Sequence, residues 1–207
     1  MNSTKRSPIA LAVLAMLNEE PMHPYRMQRL IKERGKDLVI NVERRAALYQ
    51  TVRRLEREGL IRARQTLQDE GRPERTVYEI AGSGRATLLG WMREILSTPT
   101  IEYPEFPAAI SFLALLTPED ARNQFEIRAA TIAKQISGHD ESMRGVVQTV
   151  PRLFLLEMEY IRAAQVTELN WVQSVIEDLR SGRLTWSEAW LRAIAAQFAP
   201  EPTKGGE

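Results

Sequence analysis

The order of apolar and polar positions divides the chain into segments of distinct character. From Ile9 to Leu17 nine apolar residues follow one another without a break, behind Ser7-Pro8. That pair is a good helix entry, with serine at the N-cap and proline at the first helical position. A helix apolar on every side is buried on every side. One face is therefore expected on its own domain, and the other, with Ile9 and Val13, on the C-terminal half or another subunit. Pro21 to Pro24 reads as a turn. Tyr25 to Arg34 reads as a second helix with Tyr25, Met27, Leu30 and Ile31 inward and Gly35 as its stop. Leu38-Val39-Ile40 reads as a short extended segment. In Glu43 to Ile61, residues Leu48, Val52, Leu55 and Gly59 recur at i, i+4, i+7 and i+11, one face of an α-helix. Gly59 suits the positive φ that often follows a last turn. Leu60–Thr66 and Arg75–Ile80 read as strands around the turn formers Gln68 to Pro73. Ala81-Gly82-Ser83-Gly84 breaks the second strand, and Leu88, Leu89, Trp91, Met92 and Ile95 mark a further helix. Three helices, a hairpin and a helix, in that order, make a winged helix-turn-helix.

A Pro-rich stretch then interrupts the pattern. Pro99, Pro104 and Pro107, with Glu102 and Glu105, read as a linker of restricted geometry. Phe106 to Leu116 is the first helix beyond it. Thr117-Pro118-Glu119-Asp120 opens a second, with cap, proline and first-turn acids in place, expected to run to about Ser137 and stop at Gly138. Pro151 to Arg180 is the longest. Along it Leu155, Met158, Arg162, Gln165, Leu169, Val172, Ile176 and Leu179 form a heptad seam with the polar pair in one layer. The apolar members of that seam are expected at a dimer interface. Thr185 and Glu188 have the spacing of a capping box before a last helix with Trp186, Trp190, Leu191, Ile194 and Phe198. The expected organisation is therefore mainly α: a winged helix-turn-helix over 1–96, a linker over 97–107, an all-α dimerisation and effector region over 108–199, and a disordered tail over 200–207.

Composition narrows the function. The 207 residues are 43% hydrophobic and 27% charged, enough for a buried core. Without cysteine, disulfides and thiolate chemistry are excluded. The net charge of +1 hides an asymmetry: residues 1–96 hold 18 Lys/Arg against 12 Asp/Glu, and residues 97–207 hold 10 against 15. The basic half is the one expected to meet a polyanion. The Ile9–Leu17 run is shorter than the roughly 20 residues a bilayer requires, and no small-x-small cleavage site follows it, so a cytoplasmic protein with no membrane partner is expected. His23 and His139 fall in different domains, Glu157 and Glu159 do not share a helical face, and neither a Gly-rich phosphate loop nor a nucleophile–base pair is visible. No catalytic activity, metal or cofactor is expected.

The outward face of the Glu43–Ile61 helix carries Arg45, Tyr49, Gln50, Arg53, Arg54 and Arg57. Arginine can pair bidentately with guanine and glutamine with adenine, so the face suits a major-groove reader; a solvated amphipathic helix has the same pattern. Arg72 and Arg75 flank the hairpin turn, where they suit phosphate or minor-groove contact or serve only as solubilising charges. Glu70 and Glu74 dilute the positive field there. Trp171, Trp186 and Trp190 fit either core packing or the lining of a ligand pocket.

Leu48-Tyr49, then Val52-Arg53-Arg54-Leu55-Glu56-Arg57-Glu58-Gly59-Leu60-Ile61, then Gly71-Arg72-Pro73 and Tyr78-Glu79-Ile80 resemble the PadR transcriptional regulators. So does the turn Glu20-Pro21-Met22-His23 before Tyr25. The resemblance covers residues 7–96 strongly and the C-terminal half weakly. Two departures are visible: Arg45-Ala46-Ala47 stand where the family has small polar residues and Gly, and Ala81 stands where it has a capping Thr, leaving Ser83 as the expected cap. What the resemblance implies is a homodimeric repressor that binds double-stranded DNA at an inverted-repeat operator and responds to a small-molecule effector, with Arg45, Tyr49, Gln50, Arg53, Arg54, Arg72 and Arg75 on the DNA. Family members respond to molecules such as phenolic acids. The alternative is a protein-interaction module whose winged helix no longer reads DNA.

Overall fold

Ser7 starts the first helix as its sequence suggests: its hydroxyl accepts a hydrogen bond from the Ala10 amide at 3.2 Å, and α1 runs Pro8–Glu19. The computed structural model describes residues 5–67 and 75–198. The chain divides into two compact units, Met1–Ile101 and Glu102–Glu207. In the first, α1 is followed by α2 (Pro24–Glu33), a 3-10 turn at Lys36–Leu38, α3 (Arg45–Arg57), β1 (Ile61–Leu67), β2 (Arg75–Ile80) and α4 (Gly82–Ser97). This is the winged helix-turn-helix order.

α1 is the centre of this unit. Ala10, Ala12, Val13, Leu14, Met16 and Leu17 are buried, and Ile9 and Leu11 pack on the same core. The helix touches α3, α4 and β2, so its own unit covers the surface that was expected to seek a partner. Val13 is completely buried and leaves the expected interface. In α2 the inward residues are Pro24, Met27, Gln28 and Ile31, while Tyr25 is 52% exposed. Tyr25 lies one position off the buried i, i+3, i+4, i+7 set. Gln28 is inward because its amide donates to the Val42 carbonyl at 2.7 Å, which removes the cost of burying it. Gly35, at φ 64°, closes α2 and turns the chain into the 3-10 helix, so Leu38-Val39-Ile40 is not extended: Val39 and Ile40 both donate to the Lys36 carbonyl.

β1 and β2 pair antiparallel, with Ile61 opposite Ile80 and an irregularity between Ala63 and Gln65. Met22, from the α1–α2 turn, exchanges backbone hydrogen bonds with Tyr78 at 3.0 and 3.1 Å, which pins the base of the wing. The Gln68–Pro73 turn lies outside the described residues. α4 begins directly at Gly82, and Ser83 does not cap it; its hydroxyl donates to the Gly59 carbonyl at 2.7 Å.

In the second unit, α5 (Glu105–Ser111) and a 3-10 turn at Leu113–Leu115 precede α6 (Pro118–Val146), another 3-10 turn at Arg152–Phe154, α7 (Leu156–Ser181) and α8 (Glu188–Gln197). The stretch between α4 and α5 is therefore shorter than the expected linker. α6 opens as expected, the Asp120 amide donating to the Thr117 hydroxyl at 3.2 Å, but runs straight through Gly138. A helical glycine costs about 1 kcal/mol relative to alanine, which packing along α7 outweighs. α7 ends at Gly182, φ 74°. Its seam faces α6. Val172 and Ile176 are buried with Phe125, and Leu179 packs against them; Leu155 is buried as well. The polar layer finds partners on α6: Arg162 forms two hydrogen bonds to Asp140, at 2.5 and 3.0 Å, and Gln165 donates to Gln135 at 3.2 Å and bonds His139 at 3.0 Å. Val172 and Ile176 are thus core residues of one chain, which corrects their place at an interface; Met158 and Leu169 stay half-buried. The last helix is capped by Ser187, which accepts from Trp190 at 3.2 Å, and not by Thr185; none of its residues is buried. Among the described residues, no helix is long and apolar enough to cross a membrane. The 200–207 tail lies outside them.

Candidate nucleic-acid interface

The roll of α3 is set by Leu48, Val52 and Leu55, all buried. With 100° per residue, the opposite side is the ridge Ala46, Gln50, Arg53 and Arg57, and all four are exposed. Arg57 shares the ridge with Gln50 and Arg53 by its i, i+3, i+7 spacing, and that spacing is its signal in the sequence. Among the described residues no carboxylate pairs with Arg53 or Arg57, whereas other arginines of this unit are paired: Arg6 with Glu94, Arg26 with Glu20, Arg34 with Glu19, Arg62 with Glu79. The ridge is therefore a row of uncommitted donors on a helix fixed by its own core.

The first turns of α2 and α3 meet beside this ridge. His23 accepts the Tyr25 amide through Nδ1 at 3.1 Å, and its ring stands edge-on to Tyr49 with centroids 6.3 Å apart. The Arg45 guanidinium lies over the Tyr25 ring at 5.8 Å. Tyr49 is half-buried and Arg45 exposed. Sequence periodicity assigned Tyr25 to the core and so missed it as a surface group beside Arg45. Ala46 is exposed where the family pattern has a small polar residue, so no hydroxyl is supplied at that point.

Arg54 differs from its neighbours. Its guanidinium donates to the Lys5 carbonyl at 2.6 Å and lies 3.7 Å from the Glu58 carboxylate, with the side chain only 21% exposed. Its guanidinium is thus engaged by its own chain, unlike those of Arg53 and Arg57.

In the wing, Glu79 holds Arg62 at 2.6 Å and Arg64 at 3.8 Å, so these two β1 arginines share one carboxylate. Burial raises the hydroxyl pKa of Tyr78 above its ordinary value, helped by the nearby Glu56 carboxylate on α3; the base of the wing is thus packed against the reader helix. Arg75 is the first residue of β2, opposite Leu67. Arg72, with Glu70 and Glu74, lies outside the described residues.

The second unit has its own concavity. Phe106, Pro107 and Ile110 of α5, with Tyr160, Ala163, Ala164, Thr167, Glu168 and Trp171 of α7, enclose an open groove of about 660 Å³. Trp171 does both things that sequence left open. It stands edge-on to Phe106 and Phe125, each at 6.1 Å, and it lines the groove with 43% of its surface exposed. Arg128 closes the other side of this aromatic cluster, 3.4 Å above the Phe106 ring, and donates to Glu168 at 2.6 Å.

Known proteins share this fold. Residues 13–89 match the family model described as the transcriptional regulator PadR-like family. A probable transcriptional regulator of Mycobacterium tuberculosis, Rv1176c, is 46% identical over 50 residues, which is 24% of this chain and 26% of that protein. The match thus spans about a quarter of that regulator. Bacillus subtilis PadR in complex with operator DNA superposes with a TM-score of 0.66 at 18% identity, over 84% of this chain and 99% of that one. The same protein in complex with p-coumaric acid gives 0.68 at 17% identity, with the same coverage. The Vibrio cholerae virulence activator AphA gives 0.64 at 17% identity, over 84% and 98%. At these identities the structures are alike in fold.

Proposed function

We propose that this chain, whose residues 13–89 match the PadR-like family of transcriptional regulators, works as a homodimeric DNA-binding repressor whose α3 enters the major groove of an inverted-repeat operator. The observation that carries this reading is the ridge of Gln50, Arg53 and Arg57: exposed, uncommitted among the described residues, and backed by the buried Leu48, Val52 and Leu55. Donors held free of carboxylates on a rigid helix are ready for base edges and phosphates. Arg45 and Tyr49 extend the surface at the start of α3, and the sequence adds Arg72 and Arg75 to the same proposal. The protein is a regulator and not an enzyme. The proposal includes the cytoplasm as its place of action.

Dimerisation is supported by surface that one chain leaves uncovered in its second unit. Trp190 is 52% exposed and Phe198 80%, and α8 buries nothing. A two-fold dimer sets two α3 helices into successive major grooves. For an effector, the groove lined by Trp171 and Phe106 is the place we favour: it is apolar, with Glu168 as a polar group at its wall, the usual make-up of a small-molecule site. B. subtilis PadR bound to p-coumaric acid supports a planar aromatic molecule as the first class to try.

A gel shift with the DNA upstream of the protein's own gene tests the reading. A discrete complex that survives excess nonspecific DNA is expected. No complex even at low salt would sink it and favour a protein-interaction module.

A further inference from the structure

The Lys5 carbonyl, 49 residues away in sequence, takes the hydrogen bond of an arginine that its position on α3 would otherwise offer to DNA. Arg54 lies one turn from Gln50 and from Arg57, on the edge of the exposed ridge. Its guanidinium is turned to the chain segment that enters α1, at 2.6 Å from that carbonyl. A charged donor on a backbone oxygen is one of the stronger hydrogen bonds a protein makes. A second tie holds the same segment from the other side: Arg6 lies 3.2 Å from the Glu94 carboxylate on α4. Ser7 then caps α1. Three consecutive residues are thus fastened to three different elements, α3, α4 and α1. The one side chain among them that is exposed and pairs with no carboxylate among the described residues is Lys5.

We infer that the N-terminal arm is a further DNA-contacting element, in which Arg54 is a positioning residue that fixes the Lys5 backbone so that the Lys5 ammonium meets a phosphate beside the groove read by α3. The inference rests on the DNA-binding reading above. Its physical logic is exchange: a guanidinium on the flank of the helix serves DNA binding by immobilising a second cation instead of touching the backbone itself. A lysine on a free arm would lose side-chain and backbone entropy on binding; on an arm already tied at residues 5, 6 and 7 most of the backbone part is lost beforehand. Lys5 contributes charge and no base recognition, because its ammonium is a point charge on a flexible stem.

The test is a double-mutant cycle on the full chain: wild type, Lys5→Ala, Arg54→Ala and the double variant, each titrated by fluorescence anisotropy against operator DNA and an unrelated duplex over a range of salt. Lys5→Ala is expected to weaken both DNAs evenly, by about 3- to 10-fold, and to reduce the log–log salt slope by about one per protomer. Arg54→Ala should do the same, and the double variant should be no worse than either single one. Thermal melting checks that each variant remains folded. Lys5→Ala removes only an exposed side chain and keeps the test decisive should Arg54→Ala unfold. Additive losses would assign Arg54 its own phosphate contact and overturn the positioning role; a silent Lys5→Ala would overturn the arm contact. Either can occur while wild type still binds its operator, so the arm can fail while the DNA-binding reading stands. A wild type that binds no DNA would remove both.

Discussion

Gly84 of α4 lies so close to Leu60 that a Cβ built on it would stand 2.0 Å from the Leu60 carbonyl oxygen and 3.0 Å from the Ile80 side chain. Leu60 ends the reader-helix turn and Ile80 ends the wing, so this single glycine lets α4 close over the junction of the two. The same Leu60 carbonyl accepts the Ala81 amide at 2.9 Å.

Gly84→Ala separates two opposing effects. In an open helix the substitution would stabilise by about 1 kcal/mol. Here the obstacle is backbone, which cannot swing aside, and overpacking of this kind costs about 1–3 kcal/mol or more. Denaturant unfolding should therefore show a net loss of stability for Gly84→Ala, and Gly90→Ala, where nothing lies within 4 Å, should show none. A stabilised Gly84→Ala would mean that α4 does not seat on the wing junction as described.

The ion pair between α1 and α2 sets a pH dependence. Arg34 donates to both carboxylate oxygens of Glu19 at 2.8 Å, and this bond holds the Glu19 carboxyl below its ordinary 4.5. A depressed folded-state pKa contributes stability above the unfolded value and loses it as pH falls through the folded one. Glu19→Gln should therefore be less stable than wild type at neutral pH, with the difference shrinking as pH drops below about 4.5. The pair is about half exposed, so the effect should be small and weakened by salt. A difference that persists unchanged at low pH would assign it to packing instead.

The association surface is expected on α8, not on the heptad seam. Trp190→Asp with Phe198→Asp should give monomers by light scattering, with far-UV circular dichroism close to wild type, since neither side chain is buried within one chain. Ile176→Asp, by contrast, should damage the fold itself, because Ile176 packs in the Phe125–Val172 cluster. A double α8 variant that remains dimeric would move the interface elsewhere.

These expectations show where the primary structure was legible and where it was not. The roll of α3 could be read directly, because Leu48, Val52 and Leu55 share one face and Gly59, at φ 70°, ends the turn. The hairpin was equally visible in its β-branched and aromatic residues. Whether an all-apolar helix needs an outside partner was not legible: periodicity says that α1 is covered, and only tertiary structure says that α3, α4 and the wing cover it. The heptad seam of α7 has the same ambiguity, since α6 of the same chain satisfies it as well as a second copy would, down to Asp140 opposite Arg162. The tie of Arg54 to its own chain was not legible for a related reason. Its partner is a backbone carbonyl at Lys5, and no pattern of side chains records a backbone acceptor. Tyr25 fell one position off a face that Gln28 occupies, because polarity alone does not reveal a buried amide with its acceptor at Val42.

If α3 reads bases through its exposed ridge, Arg53 is the most direct probe of that contact. The measurement is anisotropy titration of wild type and Arg53→Ala against operator DNA and against a scrambled duplex of the same length and composition. Wild type is expected to prefer the operator, and Arg53→Ala to lose about 1–3 kcal/mol on the operator while its affinity for the scrambled duplex changes far less, so the preference narrows. Equal operator affinity for wild type and Arg53→Ala would contradict it.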